Sequence, residues 1–171
     1  LIEIKAAGAL INYISLTQKD QNLPLQIPQK IYESQYLQMD AATQRNLELF
    51  HTLDGNREGS LLATIDYTLT SAGSRLLNHA LAFPMTDLDF INHRLNQVTH
   101  LVQQNDMRST LRETLKNSAD GERILSRLSL NRGGPRDIKA IQSVLRTGRC
   151  IWTILKNDSP ESPLRSFMDD L

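Results

Sequence analysis

The sequence predicts a mainly α-helical, multi-helix domain with a small β element near its N-terminus. Three observations lead there. Apolar residues recur at steps of three and four through most of the 171 residues. Asp, Ser and Thr residues able to cap a helix, and prolines able to end one, flank those apolar stripes. Only one short run, Ile31, Tyr32, Tyr36, Leu37 and Met39, favours a strand.

Taken in order, Leu1–Lys19 carries Ile2, Ala6, Ala9, Leu10, Tyr13, Ile14 and Leu16 on one helical face. Asp20 and the prolines at 24 and 28 end that helix and mark a linker. Beyond the strand candidate, Asp40 or Thr43 caps a short helix running through Leu49. Asp54 to Gly59 reads as a turn, and Ser60–Tyr67 as another short helix. Thr70 or Ser71 caps a helix over Ala72–Phe83, ended by Pro84. Gly73 near its start costs about 1 kcal/mol relative to Ala, so close packing of a neighbouring helix is expected there. Thr86 to Asp89 has capping-box spacing and precedes Leu88, Ile91, Leu95, Val98 and Leu101 on one face. Asp106 caps a helix carrying Met107, Leu111 and Leu115, and a further helix carries Ile124, Leu125 and Leu128. Gly133-Gly134 breaks the chain, and Pro135 opens a long helix through Leu155. Leu164–Leu171 reads as a helix just beginning.

Composition is that of a globular protein, 40% apolar and 22% charged, with 19 basic and 19 acidic residues. Zero net charge removes the simplest argument for a dedicated nucleic-acid or membrane-surface protein. A single cysteine, Cys150, excludes an internal disulfide and any zinc site built on several thiolates. Set in an apolar helix beside Trp152, it reads as a buried structural thiol. No apolar run approaches the roughly 18 residues of a membrane span. Without a starting Met or a signal peptide, the chain reads as a soluble, intracellular piece of something longer.

Chemistry is sparse. None of the contiguous phosphate-binding or nucleophile motifs occurs, neither G-x-x-x-x-G-K-[ST], G-x-G-x-x-G nor G-x-S-x-G. The histidines are His51, His79, His93 and His100. His93 and His100 share a helix face but sit about 10 Å apart along its axis, too far for one metal without long side-chain reach, so they read as solvated histidines. Asp87/Asp89 suits a helix start, and Asp169/Asp170 a solvated face. Arg108, Arg112, Lys116, Arg123, Arg127, Arg132, Arg136, Lys139, Arg146 and Arg149 stand against four acids in the same stretch. That excess suits a patch facing phosphate or an acidic partner domain, or equally a solvated face whose long side chains cover helix seams.

Three stretches together resemble the MutS family of DNA mismatch-repair proteins, with matching order and spacing. Leu37–Leu49 is similar to the block MDAATRRNLEL, and Gly59–Leu77 to GSLLxxLDxTxTxxGxRLL. Asp120–Leu128, followed by Pro135–Ile138, resembles DLERxLxRL and PRDL. Departures are Gln44 for an Arg, Ala80 for a frequent Trp, and Gly121 for Leu, which should weaken a helix start or alter its cap.

The resemblance implies that residues 1–24 end a connector domain and its linker. Residues 25–171 would then form the core, or lever-base, domain, with a lever helix starting at its C-terminal end. It further implies a full-length, dimeric ATPase that senses mismatched DNA with ATP and Mg and works with a MutL-type partner. That protein would be cytoplasmic and nucleoid-associated in a bacterium, with no membrane partner. This piece would couple the family's DNA clamp, connector and ATPase domains without being an enzyme itself. No catalytic, cofactor-binding or metal-binding residue carries over. The family's Phe-x-Glu mismatch wedge is missing, since Phe50, Phe83, Phe90 and Phe167 precede Thr52, Met85, Asn92 and Asp169 at that spacing. A free-standing helical interaction module sharing only the fold is the alternative.

Overall fold

The structure is a computed structural model that describes residues 2–18, 25, 27, 35–130 and 132–168. Eight α-helices form among them: α1 (Ile2–Gln18), α2 (Ala41–Asn46), α3 (Leu61–Ile65), α4 (Ser71–Ala82), α5 (Leu88–Gln103), α6 (Asn105–Lys116), α7 (Gly121–Ser129) and α8 (Pro135–Lys156). A 3₁₀ turn follows at Arg165–Met168. Helix α8 is the organising rod: α6, α7 and the 3₁₀ turn pack on it, α5 packs on α6, and α3 on α4. No helix among the described residues is long and apolar enough to cross a membrane.

The caps explain most boundaries. Asp40, Ser60, Thr70, Asp87 and Asp120 each accept a backbone N–H from three residues ahead, satisfying an amide left without a helical partner. The α5 cap is thus Asp87, one residue beyond the start of the expected capping box. Helix α6 starts earlier than expected, behind Gln104, so Asp106 lies in its first turn and caps nothing. Its proximity to α5, with no turn residues between, leaves no room for a cap at Asp106. Gly121 does not weaken the α7 start, because the Asp120 cap forms and a Cβ at 121 would crowd Val144 Cγ1 of α8 at 3.2 Å. The small residue suits that close approach.

Helix α2 stops at Asn46, short of the expected Leu49. Glu48 adopts φ 49°, a left-handed conformation that ends the helix and turns the chain. Its reversed strand then serves α3: the Leu61 and Leu62 N–H groups donate to Glu48 and Leu49 carbonyls at 3.0 and 2.9 Å. Leu49 and Leu62 are both buried at this junction.

The strand expectation contracts to one antiparallel bridge, Tyr36 with Met85, flanked by Leu37 N–H on Pro84 O at 2.8 Å. No strand forms among the described residues; Ile31 and Tyr32 lie outside them, as do Asp20, Pro24, Pro28 and the last three residues. The Leu164–Leu171 expectation is realised only as the 3₁₀ turn. Nor does a neighbouring helix crowd Gly73. A Cβ there would meet the cap hydroxyl of Thr70 at 3.0 Å and the Thr68 side chain, so a substitution disturbs the α4 cap.

Buried apolar residues among those described are few: Leu49, Leu62, Ile124, Leu155 and Leu164. The chain exposes 13547 Å², where a compact monomer of 19.4 kDa exposes about 8,500 Å². Ile2, Ile4, Leu10, Tyr13 and Leu16 of α1 are all exposed, so its apolar face lies uncovered.

Between α7 and α8 the chain passes so close to itself that only glycine fits. A Cβ on Gly133 would lie 2.1 Å from Leu128 Cδ2 and 3.3 Å from the Leu128 backbone. Gly133→Ala should therefore destabilise by about 1–3 kcal/mol, the usual cost of overpacking, in urea denaturation. Gly134→Ala, with nothing within 4 Å, should shift stability by less than about 0.5 kcal/mol; equal effects would refute the steric account.

Candidate functional site

Three carboxylates join successive helices into one polar relay. Asp66, just after α3, accepts from the Thr68 hydroxyl at 2.6 Å, Ser74 Oγ of α4 at 3.0 Å and Arg57 Nη2 at 3.2 Å. Those bonds, the Thr68 hydroxyl foremost, hold its carboxyl below the usual range. Asp120 caps α7 through Arg123 N–H and receives both guanidinium nitrogens of Arg75 from α4, at 2.8 and 3.0 Å. Ser71 Oγ adds a fourth donor at 2.9 Å, and Arg75 Nη2 also donates to Glu122 at 2.7 Å. The forked, charge-assisted geometry drives the Asp120 carboxyl far below its ordinary value, with Arg75 the main cause. Asp137, 7% exposed, accepts from Gly134 N–H at 2.8 Å and Arg127 Nη2 at 3.2 Å. Thus Asp66 links α3 to α4, Asp120 links α4 to α7, and Asp137 links α7 to α8.

A cleft of about 390 Å³ beside this relay is lined by Phe50, His51, Arg57, Arg75, Asn78 and Arg123. All three of its cations are committed to the carboxylates just described. The arrangement therefore holds helices together; it presents no nucleophile with a base within reach.

The histidines land apart. His51 lines that cleft, and His79 tilts against Phe83 at 5.1 Å. His93 and His100 are not simply solvated: both face the segment after α8. His100 Nε2 lies 2.8 Å from Asp158 Oδ2, and His93 Nε2 lies 2.9 Å from Gln97 Nε2, which also donates to Pro163 O at 3.2 Å. Burial works against ionising Asp158, yet bonds from Ser162, the Ser159 amide and His100 hold its carboxyl below the usual range. No group of three His, Cys, Asp or Glu suited to a metal occurs among the described residues. Cys150 is exposed, contrary to the expected buried thiol, because it falls on the outer arc of α8. Asp87 caps α5 with Asp89 in the first turn, and Asp169/Asp170 lie outside the described residues.

The basic stretch divides in two. Arg108 donates to the Leu101 and Val102 carbonyls at the end of α5, Arg112 to Tyr67 O, and Lys116 pairs with Glu113. Arg123 and Arg127 serve the relay. Arg132, Arg136, Lys139, Arg146 and Arg149 are exposed and have no ion-pair partner among the described residues. Both readings of the stretch hold, each for half of it. The relay itself is invisible to local patterning, since Arg75 and Asp120 are 45 residues apart. Their shared signal is that both lie in the family-like blocks.

The MutS domain III family model matches residues 42–169. Among relatives, the DNA mismatch repair protein MutS of Paracoccus denitrificans is 46% identical over 156 residues, covering 91% of this chain and 18% of the relative. That of Roseobacter denitrificans is 42% identical over 169 residues, 99% of this chain and 19% of the relative. That of Rickettsia prowazekii is 43% identical over 150 residues, 87% and 17%. The chain therefore spans less than a fifth of the length of these relatives. With its helical core and all three relay carboxylates inside the matched region, the chain belongs to the MutS family as a domain III segment.

Proposed function

We propose that this chain is the core segment of a MutS-type mismatch-repair protein, a structural coupler between a DNA-holding clamp and an ATPase. In this reading residues 1–24 end a connector domain and residues 25–171 form the lever base. The whole protein is then a dimer in a bacterial cytoplasm, at the nucleoid, binding mismatched duplex and ATP with Mg and meeting a MutL-type partner. The observation that supports the role is the relay through Asp66, Asp120 and Asp137. A displacement of α4 is passed to α7 and then α8 through charge-assisted bonds anchored at helix starts. Such coupling needs a contiguous, stiff path and no catalytic group of its own.

The test is made in the full-length protein with Arg75→Ala. Mismatch affinity and basal ATP hydrolysis should each stay within about threefold, while the effect of one ligand on the other, typically 5–150-fold, should shrink. Unchanged coupling would refute the proposal.

A second expectation concerns the isolated chain on DNA. Half of its basic stretch is engaged internally, and it carries no Phe-x-Glu wedge. Binding should be non-specific, on the order of 10⁻⁴ to 10⁻⁶ M, and steeply weakened by salt. Fluorescence anisotropy should give equal affinity for matched and mismatched duplexes; a several-fold mismatch preference would assign direct reading to this domain.

A further inference from the structure

Helix α8 covers one side on α6 and α7 and leaves another bare. Ile138, Leu145 and Trp152 recur every seven residues on the bare side and are 65%, 69% and 37% exposed. A seven-residue repeat keeps apolar side chains nearly in line along a helix, about 10 Å apart, which is the seam that a second helix covers. Arg149, Arg146, Lys139 and Arg136 follow beside this seam, fanning over about 140° of the helix circumference. All four are exposed and have no ion-pair partner among the described residues. The one acid of α8, Asp137, is buried and held by Arg127. Lys156 Nζ lies 4.8 Å from the Trp152 ring centroid, so the seam ends under a further cation.

An apolar seam with cations along one flank selects its partner by charge. Nucleic acid would neutralise the arginines but cannot cover Leu145 with apolar surface. A second copy packing α8 on α8 brings two cation-bearing helices together, which is repulsive. The complementary surface is an amphipathic helix with apolar residues at heptad spacing and Asp or Glu along one flank. This chain spans less than a fifth of its relatives' length, so most of such a polypeptide lies outside it.

We infer that the Ile138–Leu145–Trp152 seam of α8 is the docking site for an acid-flanked amphipathic helix supplied by the remainder of the same polypeptide. The inference rests on the coupler reading above, and it identifies one contact through which the α8 end of the relay is held.

The test compares thiol labelling of Leu145→Cys in the full-length protein and in the 171-residue chain, read site by site by mass spectrometry with a maleimide probe. Labelling should be at least about tenfold slower in the full-length protein. Adding Arg146→Glu and Arg149→Glu should restore most of that rate, because like charges then face each other. Cross-linking from the introduced thiol should capture an internal helix bearing Asp or Glu. Gln142→Cys, a polar position on the same exposed arc, repeats the measurement should loss of Leu145 perturb folding. Equal labelling rates, protection indifferent to charge reversal, capture of another copy's α8, or protection of the 171-residue chain by duplex DNA would each overturn the inference. Mismatch affinity of the same variants is measured in parallel. Its loss with the protection pattern intact would count against the coupler reading and leave the seam standing.

Discussion

Leu164→Ala should lower the stability of the chain by about 3 kcal/mol, within the 2–5 kcal/mol usual for a buried leucine. Leu164 is 2% exposed, although it stands in a proline-flanked tail. Its burial follows from how the segment after α8 folds back. Ser162 Oγ accepts the Leu164 N–H at 3.2 Å, Gln97 of α5 donates to Pro163 O, and the 3₁₀ turn packs on α8. Few other buried apolar residues are available to absorb the loss, and total stabilities of domains run to only about 5–15 kcal/mol. Urea denaturation followed by helical circular dichroism measures it. Leu88→Ala, at a position 72% exposed, is the control and should change stability by no more than about 0.5 kcal/mol. A loss below about 1 kcal/mol at Leu164 would mean that the tail is not part of the folded core.

The tail shows where sequence patterning stops. Helices α4, α5, α7 and α8 are legible because each carries a run of apolar residues at helical spacing and a recognisable start. Thr70, Asp87 and Pro135 need only local backbone geometry to act. The end of α2 is not legible, because Glu48 enters the left-handed region to deliver its carbonyl to α3, a demand set by residues beyond the helix. The exposure of Cys150 is not legible either. Its neighbours are apolar, but which arc of α8 faces α6 and α7 is decided by tertiary packing. The relay is the hardest case. Arg75 and Asp120 look like ordinary helix-surface charges, and only the fold brings a guanidinium fork to a cap carboxylate 45 residues away. The family-like blocks carried that information as identity and order, without its geometry. The heptad seam of α8 was present in the sequence, but it reads as core until the structure leaves it uncovered.

Asp120→Ala should lower the melting midpoint more than Asp66→Ala or Asp137→Ala does. It removes at once the α7 cap, the Ser71 contact and both Arg75 bonds, leaving Arg75 with Glu122 alone. Asp120→Asn separates charge from shape, because the amide oxygen can still cap α7 while the ionic part of the fork is lost. The pH dependence has a definite sign. The folded-state pKa of Asp120 is depressed, Arg75 being the main cause, from an ordinary value of 3.8. Its contribution is therefore fully present above that value and is lost as pH falls below it toward the folded-state pKa. Asp66, depressed chiefly by the Thr68 hydroxyl, acts in the same direction. Thermal unfolding should thus be nearly independent of Asp120 ionisation above about pH 5 and fall steeply below pH 4. In Asp120→Asn the midpoint should start lower at neutral pH and fall less on acidification, so that the two curves converge near pH 2. Parallel curves through the acid range would show that the carboxylate is not charge-coupled to Arg75. The α4–α7 link would then rest on packing alone, and the relay would be broken at its centre.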